Sequence, residues 1–175
     1  PIKDSEYVTG LLVEQNTCFG AVTFNQKTGD KTVFLADSIV LATGGHTRIW
    51  RRSSSRKHEN HGDGLYLGLN VGCKLIDMEM VQFHPTGMLA PEEHAGTLVT
   101  EAVRGEGGQL FNAKGERFMQ NYDSERMELS TRDRIALANY TEIIEGRGTP
   151  SGGVFLDISH KDKSFIVEKL PSIYR

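Results

Sequence analysis

Between Glu6 and Ala42 the apolar residues come in short runs cut by polar turns. "YVTGLLVEQ" and "CFGAVTFN" are rich in β-branched and aromatic residues and are separated by a polar turn at Asn16. "NQKTGD" is a second turn, in which Gly29 is free to take positive φ. "KTVFLA" and "SIVLATGG" follow. The pattern predicts an antiparallel meander feeding a buried strand, Ser38–Ala42, that ends at Thr43-Gly44-Gly45. The polar and basic stretch "HTRIWRRSSSRKHENHGDG" reads as a loop. "GDGLYLGLNVG" predicts a short helix with Leu65 and Leu69 on one face, and the apolar "CKLIDMEMVQFH" reads as strand-like.

From Val81 to Gly108 the pattern changes. "VQFHPTGMLAPEEHAGTLVTEAVRGEGG" holds two His, four Glu, one Arg and five Gly, with no long apolar run. "GQLFNAKGERFM" then predicts a hairpin turning at Asn112–Gly115. "ELSTRDRIALANYTEIIEGRG" is the clearest helix: Ser130 can cap it, Asp133 suits the positive end of its dipole, and Gly146 stops it. "GGVFLDIS" predicts a short strand, and "HKDKSFIVEKL" a final amphipathic helix stopped by Pro171. The fold class expected is α+β, with a boundary near Met80 that separates residues 1–79 from residues 80–175.

Composition narrows the function more than the fold. The chain has 175 residues and a net charge of −3, so no basic field invites nucleic acid. No apolar stretch approaches the roughly 20 residues of a membrane span. Cys18 and Cys73 are isolated and lack metal-ligand spacing, which is expected of two structural thiols. The chain opens on Pro1 rather than Met, as expected of a piece of something longer.

The candidate chemistry lies in four places. The strand ending in Ala42, Thr43, Gly44 and Gly45 would set bare backbone at a sheet edge, where glycines allow a ligand close; a tight turn explains it equally well. Asp63 could accept a hydrogen bond from a ligand hydroxyl or simply cap the helix that follows. His58 and His61 are three apart, but no third metal ligand accompanies them, and solvated histidines are expected. In "FHPTG", Pro85 restrains His84 to extended backbone and fixes where the imidazole can point; a buried, satisfied histidine is the alternative. Glu101 and Arg104 have the spacing of a helical ion pair. Arg132 falls in the first turn of a helix, where a cation opposes the dipole, and this local conflict calls for a nearby anion. His84, Thr100 and an arginine together would suit a carboxylate, and two such groups around one cavity a small dicarboxylate. The residues taken alone imply an anion site and no reaction.

The ordered set "VQFHPTG…TLVTEAVRGEGGQLFNAKGERFM…STRDRIA" resembles the flavoprotein subunit of succinate dehydrogenase and fumarate reductase, in the superfamily that also holds L-aspartate oxidase. The resemblance runs from "LATGG" to the end of the chain. It implies the end of a FAD-binding domain, the β-meander plus final strand of residues 1–79, followed by an incomplete mixed α/β capping domain, residues 80–175. It implies that Ala42, Thr43, Gly44, Gly45 and Asp63 bind FAD, and that His84 and Thr100 bind a substrate carboxylate. It further implies that Arg132 transfers the proton while Glu101 and Arg104 relay protons to it. Succinate and fumarate are the implied substrates, with an iron-sulfur subunit of a membrane-anchored complex as partner and a location at the cytoplasmic face of the membrane, held there through partner subunits. An L-aspartate oxidase and a non-redox capping-type dicarboxylate-binding module stay open as alternatives. Two departures stand out: "MLAPEEHAG" is a few residues longer than the family pattern, which an outward bulge at Pro91–His94 would absorb, and no G-x-G-x-x-G fingerprint is present.

Overall fold

A computed structural model describes residues 1–51, 53–55 and 57–174. The chain divides into two compact units, Pro1–Met80 and Val81–Arg175.

The first unit is built on a three-stranded antiparallel sheet, β1 (Glu6–Glu14), β2 (Thr17–Asn25) and β3 (Lys31–Leu35), in the order β1-β2-β3. Gln15 and Asn16 both take positive φ, 48° and 62°, which is the two-residue hairpin turn whose twist matches that of the strands. Tyr7 stands opposite Phe24, with ring centroids 5.5 Å apart. Gly20 is required by packing, because a Cβ there would stand 2.6 Å from the Phe34 carbonyl. Helix α1 (Asp63–Asn70) sets Leu67 into the core of this unit.

Two sequence expectations fail here. Residues 36–46 form no strand, so the predicted Ser38–Ala42 strand is irregular chain without a ladder partner. Val40 is 86% exposed. A run this apolar becomes a strand only where neighbouring strands satisfy its backbone on both sides, and none of the described strands lies beside it. "CKLIDMEMVQFH" is likewise irregular rather than strand, for the same reason. The predicted loop after Gly45 is a loop with one 3-10 turn at Thr47–Ile49; Arg52 and Arg56 within it lie outside the described residues.

The second unit packs helices α2 (Ala102–Gly105), α3 (Met119–Tyr122) and α4 (Arg132–Glu142) with a two-stranded sheet of β4 (Gln109–Phe111) and β5 (Phe155–Asp157). Helices α5 (Lys163–Lys169) and α6 (Pro171–Tyr174) end the chain, so Pro171 begins a helical turn as well as stopping α5. Leu110, Phe118, Met119, Ile135 and Ala138 form the core. The predicted hairpin is half present. Gly115 turns with φ 79° and donates to the Asn112 carbonyl at 3.0 Å, but the second arm becomes α3 and β4 pairs with β5 instead. Phe118 and Met119 explain this, since both are buried, which suits a helical turn in the core better than an alternating strand. The cap of α4 also moves by one residue. Thr131 is the N-cap, while the Ser130 hydroxyl donates to Asp123 Oδ2 at 2.6 Å.

The end of α4 is locked by a buried acid. Glu142, 1% exposed, accepts Asn112 Nδ2 at 2.8 Å, the Tyr122 hydroxyl at 2.7 Å, and Arg147 Nε and NH2 at 2.7 and 2.8 Å. Arg147, against the opposing pull of burial, holds the Glu142 carboxyl at about 2 instead of its usual 4.5. Gly146, with φ 77°, turns the chain after α4 so that Arg147 reaches back to this carboxylate. Replacing Glu142 by Ala leaves the buried Asn112 amide without this acceptor and should cost about 2 kcal/mol or more. Because the folded carboxyl is depressed, its stabilisation is fully present above 4.5 and is lost as pH falls from there to about 2. Urea unfolding of Glu142→Ala and the parent protein should therefore differ strongly at pH 7 and converge toward pH 2.

Candidate functional site

The second unit brings together most of the residues that the sequence singles out there. Segments 86–88 and 97–99 lie antiparallel: Val99 donates its N–H to the Thr86 carbonyl at 2.8 Å, and Met88 donates to the Thr97 carbonyl at 2.9 Å. The residues between them run through a 3-10 turn at Glu92–His94, with residues 90–95 exposed. His84 enters this arrangement with a defined tautomer. Its Nδ1 accepts the Thr86 backbone N–H at 3.2 Å, while the Thr86 hydroxyl donates to the Val99 carbonyl at 2.9 Å. The neutral ring therefore carries its proton on Nε2.

Thr100 and Glu101 lead into α2. The Thr100 hydroxyl oxygen accepts the Ala102 N–H at 3.3 Å, which leaves the hydroxyl proton free to be donated elsewhere. Glu101 then reaches the first residue of α4. Arg132 Nε donates to Glu101 Oε2 at 2.8 Å, and Arg132 NH2 stands 2.7 Å from the same oxygen. This carboxylate is the anion that a cation at a helix N-terminus calls for. The same Glu101 is shared, since its Oε1 lies 3.9 Å from Arg104 NH2, near enough for attraction and too far for a hydrogen bond. Arg104 is 2% exposed; its NH1 donates to the Glu128 carbonyl at 2.8 Å, while Nε and NH2 have no hydrogen-bond partner.

These charges act on one another. Partial burial first, and then the guanidinium groups of Arg132 and Arg104, hold His84 below its ordinary 6.5, so it is neutral at physiological pH. The hydrogen bond and charge of Arg132 hold Glu101 below the usual carboxylate range. Burial pulls Arg104 below the ordinary arginine value; Arg132 adds to this and Glu101 opposes it. The result is a neutral N–H donor, a hydroxyl and two guanidinium groups sharing one carboxylate. That donor-rich set is suited to an anion and to moving a proton between guanidinium and carboxylate. Arg132 is 46% exposed in this chain, so the coupling to Glu101 is present and shielding from water is not. Sequence reading missed Gln82, whose Oε1 accepts from Arg132 NH1 at 3.3 Å. It stands two residues before His84, so its side chain shares His84's face if the segment is extended, which is the signal that could have found it.

In the first unit, Ala42, Thr43, Gly44 and Gly45 are exposed chain rather than a strand end. The loop is nevertheless tied to the start of α1. Gly45 donates its N–H to Asn60 Oδ1 at 3.0 Å, and Gly62 donates to the Gly45 carbonyl at 3.2 Å. A side chain at Gly64 would collide with the Thr43 hydroxyl, and one at Gly44 with Asn60. Asp63 is the first residue of α1, and its Oδ1 accepts the Tyr7 hydroxyl at 3.1 Å. Tyr7 and Asn60, which organise this site, were not evident in the sequence, because their partners lie in distant or irregular segments. His58 and His61 are exposed, and among the described residues no group of three or more side chains could hold a metal ion.

With this geometry established, comparison with known proteins is specific. The model of a family described as FAD binding domain matches residues 1–175. A CoM/CoB fumarate reductase chain from Methanothermobacter marburgensis is 50% identical over 97% of this chain and 31% of its own length. The succinate dehydrogenase flavoprotein subunit of Rickettsia bellii is 41% identical over 95% of this chain and 28% of its own. A mutant structure of the E. coli quinol fumarate reductase FrdA superposes with a TM-score of 0.86 at 35% identity, covering 96% of this chain and 30% of that one. The chain thus spans less than a third of the length of these relatives. It belongs to the FAD binding domain family, and its close homologues are flavoprotein subunits of fumarate reductase and succinate dehydrogenase.

Proposed function

We propose that this chain is part of a FAD-dependent oxidoreductase that interconverts succinate and fumarate. Residues 1–79 would end its FAD-binding domain, and residues 80–175 would form part of its capping domain. The observation that carries the reading is the Glu101–Arg132 bond, at 2.8 Å, set among His84, Thr100 and the buried Arg104.

The first unit fits one portion of FAD. Gly44 and Gly45 present backbone without side chains, and Asp63 offers a carboxylate acceptor at the start of α1, the chemistry that ligand hydroxyls require. Ala42 and Thr43 would complete that edge. The sequence holds no glycine fingerprint to seat a pyrophosphate on a helix N-terminus. The 175-residue chain by itself is therefore expected to retain no flavin after gel filtration with added FAD. A visible flavin band that stays with the protein would overturn that expectation.

When bound, FAD would supply the hydride acceptor. The chain's residues would do the rest. His84 Nε2–H and the Thr100 hydroxyl would each donate to a substrate carboxylate and hold it in a fixed orientation. Arg132 would exchange a proton with the substrate carbon. Glu101, already bonded to Arg132, would return or remove that proton, with Arg104 behind it. An arginine suits this task only when its charge is costly to hold. Shielding from water would have to come from outside this unit. An iron-sulfur subunit of a membrane-anchored complex is the proposed redox partner. The flavoprotein would then sit at the cytoplasmic face of the membrane through that complex. Among the described residues no helix is long and apolar enough to cross a membrane.

In the longer flavoprotein, Arg132→Gln keeps hydrogen-bond donors and removes the charge and the transferable proton. Turnover should fall by roughly 10²–10⁴-fold, as for loss of a general acid–base group, with flavin content unchanged. Glu101→Gln should also slow turnover while affecting dicarboxylate binding less. Near-normal turnover of Arg132→Gln with a raised KM would make Arg132 a binding residue instead.

His84 offers an independent check. Its imidazole should titrate below 6.5 by histidine NMR, because burial and two cations disfavour its charge. Adding succinate or fumarate should raise that value, since an adjacent carboxylate favours the imidazolium. A titration that ignores the dicarboxylate would remove His84 from the binding site.

A further inference from the structure

Asn139 lies on α4 seven residues after Arg132, so the two share a face of the helix about 10.5 Å apart along its axis. It is 7% exposed and takes no part in the acid–base set described above. Its Nδ2 donates to the Pro85 carbonyl at 2.7 Å, while its Oδ1 is buried without a hydrogen-bond partner. The orientation of the amide follows from this contact, because a flipped amide would set Oδ1 against the carbonyl oxygen. Its one side-chain hydrogen bond therefore goes to the backbone of the segment that carries His84.

That single bond falls at an informative place. The Pro85 carbonyl belongs to the peptide linking Pro85 to Thr86, in the turn His84-Pro85-Thr86. On one side the turn is held by Thr86, which bonds to Val99 through both its carbonyl and its hydroxyl. On the other side it is held by Asn139, directly from the helix that carries Arg132. His84 Nδ1 is fixed by the Thr86 N–H within the same turn. Moving Pro85 relative to α4 would move the imidazole relative to Arg132.

We propose that Asn139 is a positioning residue: by clamping the Pro85 carbonyl to α4, it sets His84 at the separation from Arg132 that lets one dicarboxylate meet both. The inference rests on the substrate-binding role given to His84 above. It is tested by a double-mutant cycle in the longer flavoprotein, comparing Asn139→Leu, His84→Gln and the double variant, with flavin content and thermal midpoint measured for each. Asn139→Leu should raise KM for succinate or fumarate about tenfold and change kcat much less. His84→Gln should raise KM as well, and in that background Asn139→Leu should add little, because it acts through His84. Additive effects, or an unchanged KM in Asn139→Leu, would overturn the proposal and leave the His84 reading intact. An unchanged KM in His84→Gln would instead sink the reading of His84, and the Asn139 proposal with it. If Asn139→Leu fails to fold or to hold flavin, Asn139→Ser carries the same cycle, with a smaller rise in KM that again vanishes in the His84→Gln background.

Discussion

The second unit depends on Glu128. Its side chain is almost wholly buried, yet it is ionised and fully engaged. The carboxylate accepts the Leu110 backbone N–H at 3.0 Å and two bonds from Arg117, at 3.0 and 2.6 Å. Burial pushes its carboxyl up, but Arg117 and the Leu110 N–H together hold it below the usual range. Its backbone carbonyl meanwhile accepts Arg104 NH1 at 2.8 Å. One residue thus joins β4, the turn after it and α2, and it stands four positions before Arg132. Truncating its side chain would take the carboxylate partner from Arg117 and leave the buried Leu110 N–H unpaired, the kind of loss that exceeds the strength of any one bond.

This constraint explains how a half-exposed ion pair can be well placed. The Glu101–Arg132 bond is open to water and contributes little to stability. Its geometry comes from both ends being carried on elements that Glu128 and the core hold. Arg104, anchored by Glu128, lies on α2, directly after Glu101. Ile135 and Ala138 anchor α4 beside the first turn that carries Arg132. These charged groups therefore sit at the solvent edge of a rigid frame, as the proposed site would require. The orphaned nitrogens of Arg104 fit the same logic: a buried cation with unspent donors raises the cost of nearby positive charge and lowers that of Glu101's negative charge.

Local patterns were legible wherever a short segment decided its own structure. The alternating runs of β1 to β3, the turn at Gln15-Asn16 and the helix α4 follow from residues within a few positions of one another. So does the stop at Gly146. The dipole conflict at Arg132 was also readable and pointed to an anion, which the family resemblance placed at Glu101. Errors arose where a segment needed partners elsewhere. Ser38–Ala42 has the composition of a buried strand and no described strand beside it. The second arm of the predicted hairpin gave way to α3 because Phe118 and Met119 are core residues.

The sequence alone determined the elements with a clear period, the lack of a basic field and of an apolar run as long as a membrane-spanning helix, and, through its ordered motifs, the family to which this chain belongs. Only the tertiary structure fixed the distances at which these groups meet. Glu101 and Arg132 are 31 residues apart, Gln82 and Arg132 50, and Pro85 and Asn139 54. No local propensity links such positions. Hydrogen bonds and ion pairs depend on distance and angle to within tenths of an ångström, and those are set by core packing over the whole unit, which is not a property of any window of sequence.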